Sequence, residues 1–213
     1  MISLPFAFLA SLLLGMRHAT DPDHIVAVTT IVSRERSVHR SIGVGVMWGI
    51  GHTVTIFAVG GAIMLYKFAF TPRLGLSMEF SVALMLVVLG TLNLTSRSGT
   101  PMQAPRLRPF IVGVVHGLAG SAAATLLILP LIDDVRWALV YLVVFGAGTV
   151  AGMALVTMAI AAPSLYAGAR LAGLQHGVRL ASGFASLAFG AYLGYRIGFV
   201  DGLFTATPHW IPE

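Results

Sequence analysis

Six apolar runs of about 20 residues each, nearly free of charge, decide what this chain can become, because about 20 apolar residues span a bilayer as a helix. They are Ile2–Val32, interrupted by Arg17–His24, then Ile42–Tyr66, Met78–Thr95, Pro109–Ile132, Trp137–Ala162 and Leu180–Val200. Only 10% of the 213 residues are charged and 57% are hydrophobic, with a mean hydropathy of +0.88. A soluble domain of this size has no way to bury so much apolar surface, so lipid must face much of it. The reading is an all-α integral membrane protein of about six transmembrane helices, forming one domain over 1–213. The first run has no basic stretch before it and no clear cleavage site, so it reads as part of the mature protein.

In a soluble protein, a formal charge of +5 and a pI near 10.2 would point to nucleic acid. Here the basic residues sit in short gaps between apolar runs, and the pattern reads as topology. Loops one, three and five carry Arg34, Arg36, Arg40, Arg97, Arg106, Arg108, Arg170 and Arg179, which is eight. The opposite side has four, Lys67, Arg73, Arg136 and Arg196, together with Asp133, Asp134, Asp201 and Glu213. The eight-residue side is expected to be cytoplasmic, which puts both termini outside. With no cysteine in the chain, disulfides, iron–sulfur clusters and thiolate zinc sites are excluded.

A weak internal repeat runs through 1–95 and 109–200. Gly15-Met-Arg-His18 resembles Gly113-Val-Val-His116, Trp48-Gly-Ile-Gly51 resembles Phe145-Gly-Ala-Gly148, and Gly90 corresponds to Gly190, at offsets of 98, 97 and 100 residues. Two consecutive units of three helices must be oppositely oriented, so the expected plan is an inverted 3+3 repeat, with substrate held near the midplane. Chance similarity among Gly-rich membrane helices is the competing explanation.

The chemistry concentrates in Arg17-His-Ala-Thr-Asp-Pro-Asp-His24. His18, Asp21, Asp23 and His24 are four potential metal ligands within seven residues, set between apolar stretches. Each carboxylate would cost several kcal/mol in lipid, so such residues face a cavity, a partner or an ion. A divalent cation compensates both carboxylates and accepts neutral imidazoles; imidazole suits nickel, copper, zinc and iron. On a continuous helix His18, Asp21 and His24 would share a face, with Asp23 pointing elsewhere. Pro22 disfavours helical geometry at Asp21, so a break in the first helix is expected, and it would bring Asp23 round. The alternative is a solvated loop in which Asp21 or Asp23 caps a following helix. His52 and His116 lie mid-run beside glycines, readable as ligands, as proton relays or as buried hydrogen-bonding residues. Asn93 is equally well an interhelical hydrogen bond. His39, His176 and His209 read as solvated loop residues.

His18-Ala-Thr-Asp-Pro-Asp-His24 resembles the signature of the nickel/cobalt transporter family: His, four residues, Asp-His, usually within Arg-His-Ala-x-Asp-x-Asp-His. Gly51-His52-Thr53 is similar to the family's second motif, and Leu89-Gly90 to Asn93-Leu94 to a looser third. The resemblance covers about the first 95 residues. It implies His18, Asp21, Asp23 and His24 as the substrate site, with His52 participating. Typical members have about eight helices and further acidic motifs. The present chain looks more like the compact six-helix relatives, the urease-accessory nickel permeases and the nickel/cobalt efflux branch. The resemblance implies a secondary permease for a divalent transition metal, nickel or cobalt as cargo, with no resident cofactor. The chain has no nucleotide-binding motif of its own. Its partners would be the metal ion and lipid, not nucleic acid, and a homo-oligomer is compatible with it. Acidification should release the metal, since ligands must be deprotonated.

Other classes fit less of the sequence. A zinc protease would need His-Glu-x-x-His, which does not occur, and desaturase-type histidine boxes need several close pairs. A haem protein ligated by His52 and His116 leaves Asp21 and Asp23 unexplained. A proton-coupled exporter of an organic solute, using the cluster as a relay, remains the alternative.

Overall fold

Within the described residues each apolar run folds as helix, the first of them in two pieces. The computed structural model describes residues 4–35, 37–66, 71–95, 107–128, 134–168 and 174–210. Among the described residues there are seven α-helices and no strand: α1 Leu4–His18, α2 Pro22–Val32, α3 Val38–Tyr66, α4 Pro72–Thr95, α5 Leu107–Ile128, α6 Val135–Gly168 and α7 Leu174–Tyr195, which runs on into a π-helical turn, Arg196–Val200. Val38–Ala62, Pro72–Thr95 and Val135–Pro163 are long and apolar enough to cross a membrane. Phe6–His18, Pro22–Val32 and Leu107–Ala119 are shorter apolar helical stretches.

Several helices extend past the apolar runs, since a helix satisfies its own backbone and continues wherever water accepts its side chains. His39 therefore belongs to α3 and His176 to α7, not to loops as expected, whereas His209 lies outside any helix. Asp134 is a helix boundary: its Oδ1 accepts a hydrogen bond from the Arg136 backbone N–H at 2.8 Å, at the start of α6. Of the residues used to argue orientation, Arg36, Lys67, Arg97, Arg106, Asp133, Arg170 and Glu213 lie outside the described residues.

Phe6, Leu13, Phe57, Val88, Val143 and Phe184 are exposed large apolar residues on five different helices, a surface suited to lipid. The polar groups left inside are mostly Ser and Thr that bond to backbone carbonyls: Ser11 Oγ donates to Tyr141 O at 2.9 Å and Ser186 Oγ to Leu86 O at 2.8 Å.

α3 packs between α5 and α6, α1 lies on α6, and α4 pairs with α7. Glycine sets how closely they approach. A methyl group on Gly51 would run into the Phe110 carbonyl oxygen, and one on Gly113 into that of Trp48, so α3 and α5 meet backbone to backbone. The α1–α6 contact repeats the arrangement, with Gly15 on the Phe145 carbonyl and Gly148 on that of Leu12. These four residues stand 98 or 97 positions from Gly113, Trp48, Gly51 and Phe110 respectively. Between α4 and α7, Gly90 faces the Gly183 carbonyl and Gly190 that of Ala83, an exchange of residues 100 apart.

Candidate metal centre

The polar cluster begins where α1 ends. Helix α1 continues through His18, and a tight turn follows, with Thr20 N bonded to Arg17 O at 2.8 Å and Asp21 N to His18 O at 3.1 Å. Pro22 opens α2, where its missing N–H costs nothing, and it holds Asp21 extended at φ −61°, ψ 146°. Asp21 thus occupies the N-cap position but makes no side-chain cap bond. Its carboxylate instead meets His18, with Oδ2 2.7 Å from Nδ1. The break spans Ala19–Asp21: Ala19 is buried, Thr20 is exposed and the Asp21 side chain is 46% exposed.

Four elements converge here. His18 Nε2 stands 3.0 Å from His52 Nε2 of α3. Asp23 reaches in two directions: Oδ1 accepts the His24 backbone N–H at 2.9 Å and lies 3.2 Å from His24 Nδ1, while Oδ2 is 3.0 Å from His116 Nε2 of α5. The break thus turns Asp23, which a continuous helix would point elsewhere, towards the histidines. His24 is the hub, its ring centroid 4.0 Å from that of His116, 4.7 Å from His18 and 5.3 Å from His52. All six residues singled out in the sequence therefore gather at one place. Five supply ligand atoms in two groups, His18–His24–His52 and Asp23–His24–His116, each with its atoms within 4.8 Å of one another. Asp21 belongs to neither group.

The donor set fits a transition-metal cation. His24 Nε2, His52 Nδ1 and His116 Nδ1 are buried and have no hydrogen-bond partner among the described residues. Buried polar atoms are nearly always satisfied, so the orphaned His24 Nε2 calls for an explanation; the orphaned Nδ1 atoms of His52 and His116 belong to rings whose Nε2 atoms are the ones facing His18 and Asp23. Two ligands about 2.0–2.1 Å from one ion lie roughly 2.9–3.4 Å apart for bond angles between square and tetrahedral. The His18–His52 and Asp23–His116 separations, both 3.0 Å, fall in that range. With imidazoles outnumbering carboxylates and no thiolate, the set favours borderline ions over hard or soft ones.

A cavity of about 620 Å³ leads to the cluster and touches His18, Asp21, Asp23, His24 and His116 but not His52. Its walls include Glu79, Asp201, His209 and Trp210. Trp210 Nε1 donates to Glu79 Oε1 at 2.8 Å, tying the C-terminal segment to α4. A second cavity, of about 710 Å³, is lined by Thr30, Arg34, His39, Met47, Asn93 and Arg108 and includes none of the cluster.

Asn93 is an interhelical tie. It accepts from Arg34 Nε at 2.6 Å and donates to Arg179 O and Ser182 Oγ, each at 3.1 Å. Burial first, then the charge of Arg179, lowers the pKa of Arg34, which nevertheless stays a cation. Trp48 was not among the candidate residues, yet it is fully buried, stacked on His24 at 6.1 Å and edge-on to His116 at 5.6 Å. The signal for it was its position one helical turn before His52.

A bundle this apolar, with a buried His/Asp cluster reached by a cavity, suits a membrane transport protein. Residues 4–96 match the family model NicO, described as High-affinity nickel-transport protein. Over 209 residues the chain is 35% identical to the Urease accessory protein UreH of Bacillus sp. (strain TB-90), covering 90% of this chain and 91% of that one. No solved structure matches. The chain belongs to the nickel/cobalt transporter family and is a multi-pass membrane protein. His116 lies beyond the residues matched by the family model; the other five candidates lie within them.

Proposed function

We propose that this chain is a secondary, non-ATP permease for a divalent transition-metal cation, nickel or cobalt, which binds at the His/Asp cluster near the middle of the membrane. The observation that carries this reading is the convergence of four imidazoles and Asp23 from α1, α2, α3 and α5, with His24 Nε2 buried and without a partner among the described residues. The nickel-transport family and the relative named as a urease accessory protein favour nickel as cargo.

On this reading α1 and α2 together make the first of six spans, broken at Ala19–Asp21, and α3 to α7 make the other five. The matched glycine contacts of α1–α6 and α3–α5 support an inverted repeat that relates α1 and α2 to α5, α3 to α6 and α4 to α7. With both termini outside, the cavity beside Asp201 and Trp210 opens outward and the Arg34 cavity opens to the cytoplasm. Rocking of the two halves would then expose the cluster to each side in turn. Asp21 acts by orienting His18 through Nδ1, leaving Nε2 aimed at the ion; metal-bound histidines commonly have such a carboxylate partner. The test is nickel and cobalt flux in cells. His18→Ala and His24→Ala should abolish it while the protein stays in the membrane. Flux equal to wild type in both variants would remove the metal site from this mechanism.

A further inference from the structure

The five ligating residues do not form one shell. They fall into two triads that meet only at His24: His18–His24–His52 and Asp23–His24–His116. Resting on the metal-site reading above, we propose that these are two stations for a single ion, filled one at a time and connected by the His24 ring. A neutral imidazole has one nitrogen lone pair to give, so His24 serves one station or the other and not both at once. The two members of each triad other than His24 are already 3.0 Å apart, a separation that suits ligands of one ion.

The stations differ in depth and in chemistry. All three residues of the Asp23 triad line the outer cavity, and so do His18 and His24 of the other triad; only His52, 0% exposed, does not. An ion arriving through that cavity meets a carboxylate and two imidazoles first. It then passes, by turning over its coordination at His24, to a station made only of imidazoles. Magnesium and calcium require oxygen ligands, so the all-nitrogen station rejects them. This arrangement makes His52 the residue that decides which metals pass, and makes His116 a ligand of the outer station.

Nickel titration of the purified full-length chain tests this, with X-ray absorption counting the imidazoles on the ion. Wild type should bind one nickel. His52→Ala and His116→Ala should each keep one binding site, weakened by about tenfold or less, because the other station survives. Combining His18→Ala with His52→Ala should cost little beyond the worse single change, since both fall in one station. Combining His52→Ala with His116→Ala should weaken binding by at least about 100-fold, the non-additivity expected of alternatives. Single His52 or His116 variants that lose nickel as completely as that double variant, or a wild type that binds two ions, would overturn the two-station scheme while leaving a metal site. A wild type that binds no nickel would remove the site itself.

Discussion

Replacing Asp21 separates a group that positions a ligand from a group that is one. Its carboxylate lies 2.7 Å from His18 Nδ1, and the two side chains are 46% and 21% exposed. An ion pair this open to solvent is worth about 0–1 kcal/mol by itself. Losing the outer partner of a metal-bound histidine costs about 10–100-fold in metal affinity, which is about 1.4–2.7 kcal/mol. Most of the expected loss therefore comes from releasing the His18 ring, not from the charge pair. Measured in the His116→Ala background, where only the station of His18 remains, Asp21→Ala should weaken nickel binding by roughly that 10–100-fold. Asp21→Asn, whose amide oxygen still accepts the Nδ1–H, should fall less than tenfold, roughly the value of one hydrogen bond. Equilibrium titration of the purified chain measures both. A direct ligand would behave differently, since a neutral amide replaces a coordinating carboxylate poorly. Asp21→Asn losing as much affinity as Asp21→Ala and His18→Ala would refute the positioning role.

The other predictions concern the frame that holds the site. Gly51→Ala drives a methyl group onto the Phe110 carbonyl and should cost about 1–3 kcal/mol in thermal stability in detergent. Gly43→Ala, with nothing within 4 Å, should be neutral or slightly stabilising, and equal melting of the two variants would contradict the close α3–α5 contact. Asn93→Ala removes the side-chain acceptor of Arg34 Nε, leaving its Nη2 on the Leu92 and Asn93 backbone carbonyls, and should cost about 1.5–3 kcal/mol, read by the same melting assay. Cysteines placed singly at Ser37 and Thr71, in a chain with no native Cys, should be labelled only from the cytoplasm and only from outside, respectively. The opposite pattern would reverse the orientation, and labelling of both from one side would contradict the six-span arrangement.

The sequence displayed its helices because lipid demands long apolar runs, and it displayed the cluster because charge inside such runs is rare. The break at Pro22 was legible for the same local reason: proline acts on its own neighbours. The separation of the cluster into two triads was not legible. It depends on how α3 and α5 are rotated, and that rotation comes from glycine contacts such as Gly51 on Phe110, made between residues far apart in the chain. Asp21 and Asp23 looked alike as carboxylates two residues apart. Only the turn of the backbone sends one to His18 and the other to His116. Trp210 gave no sign of its bond to Glu79, 131 residues away. His39 and His176 were misplaced because polar residues at the end of an apolar run mark the edge of the hydrocarbon, not the end of the helix.

The proposed function stands or falls on whether this chain alone, without ATP, carries nickel through its His/Asp cluster. Purified protein reconstituted into liposomes, given a gradient of radioactive nickel and no nucleotide, tests that most directly. Nickel flux well above protein-free liposomes is expected for the wild type, and none above that background for His24→Ala present at equal density. Wild-type liposomes no more permeable than empty ones, or a His24→Ala variant as active as wild type, would contradict it.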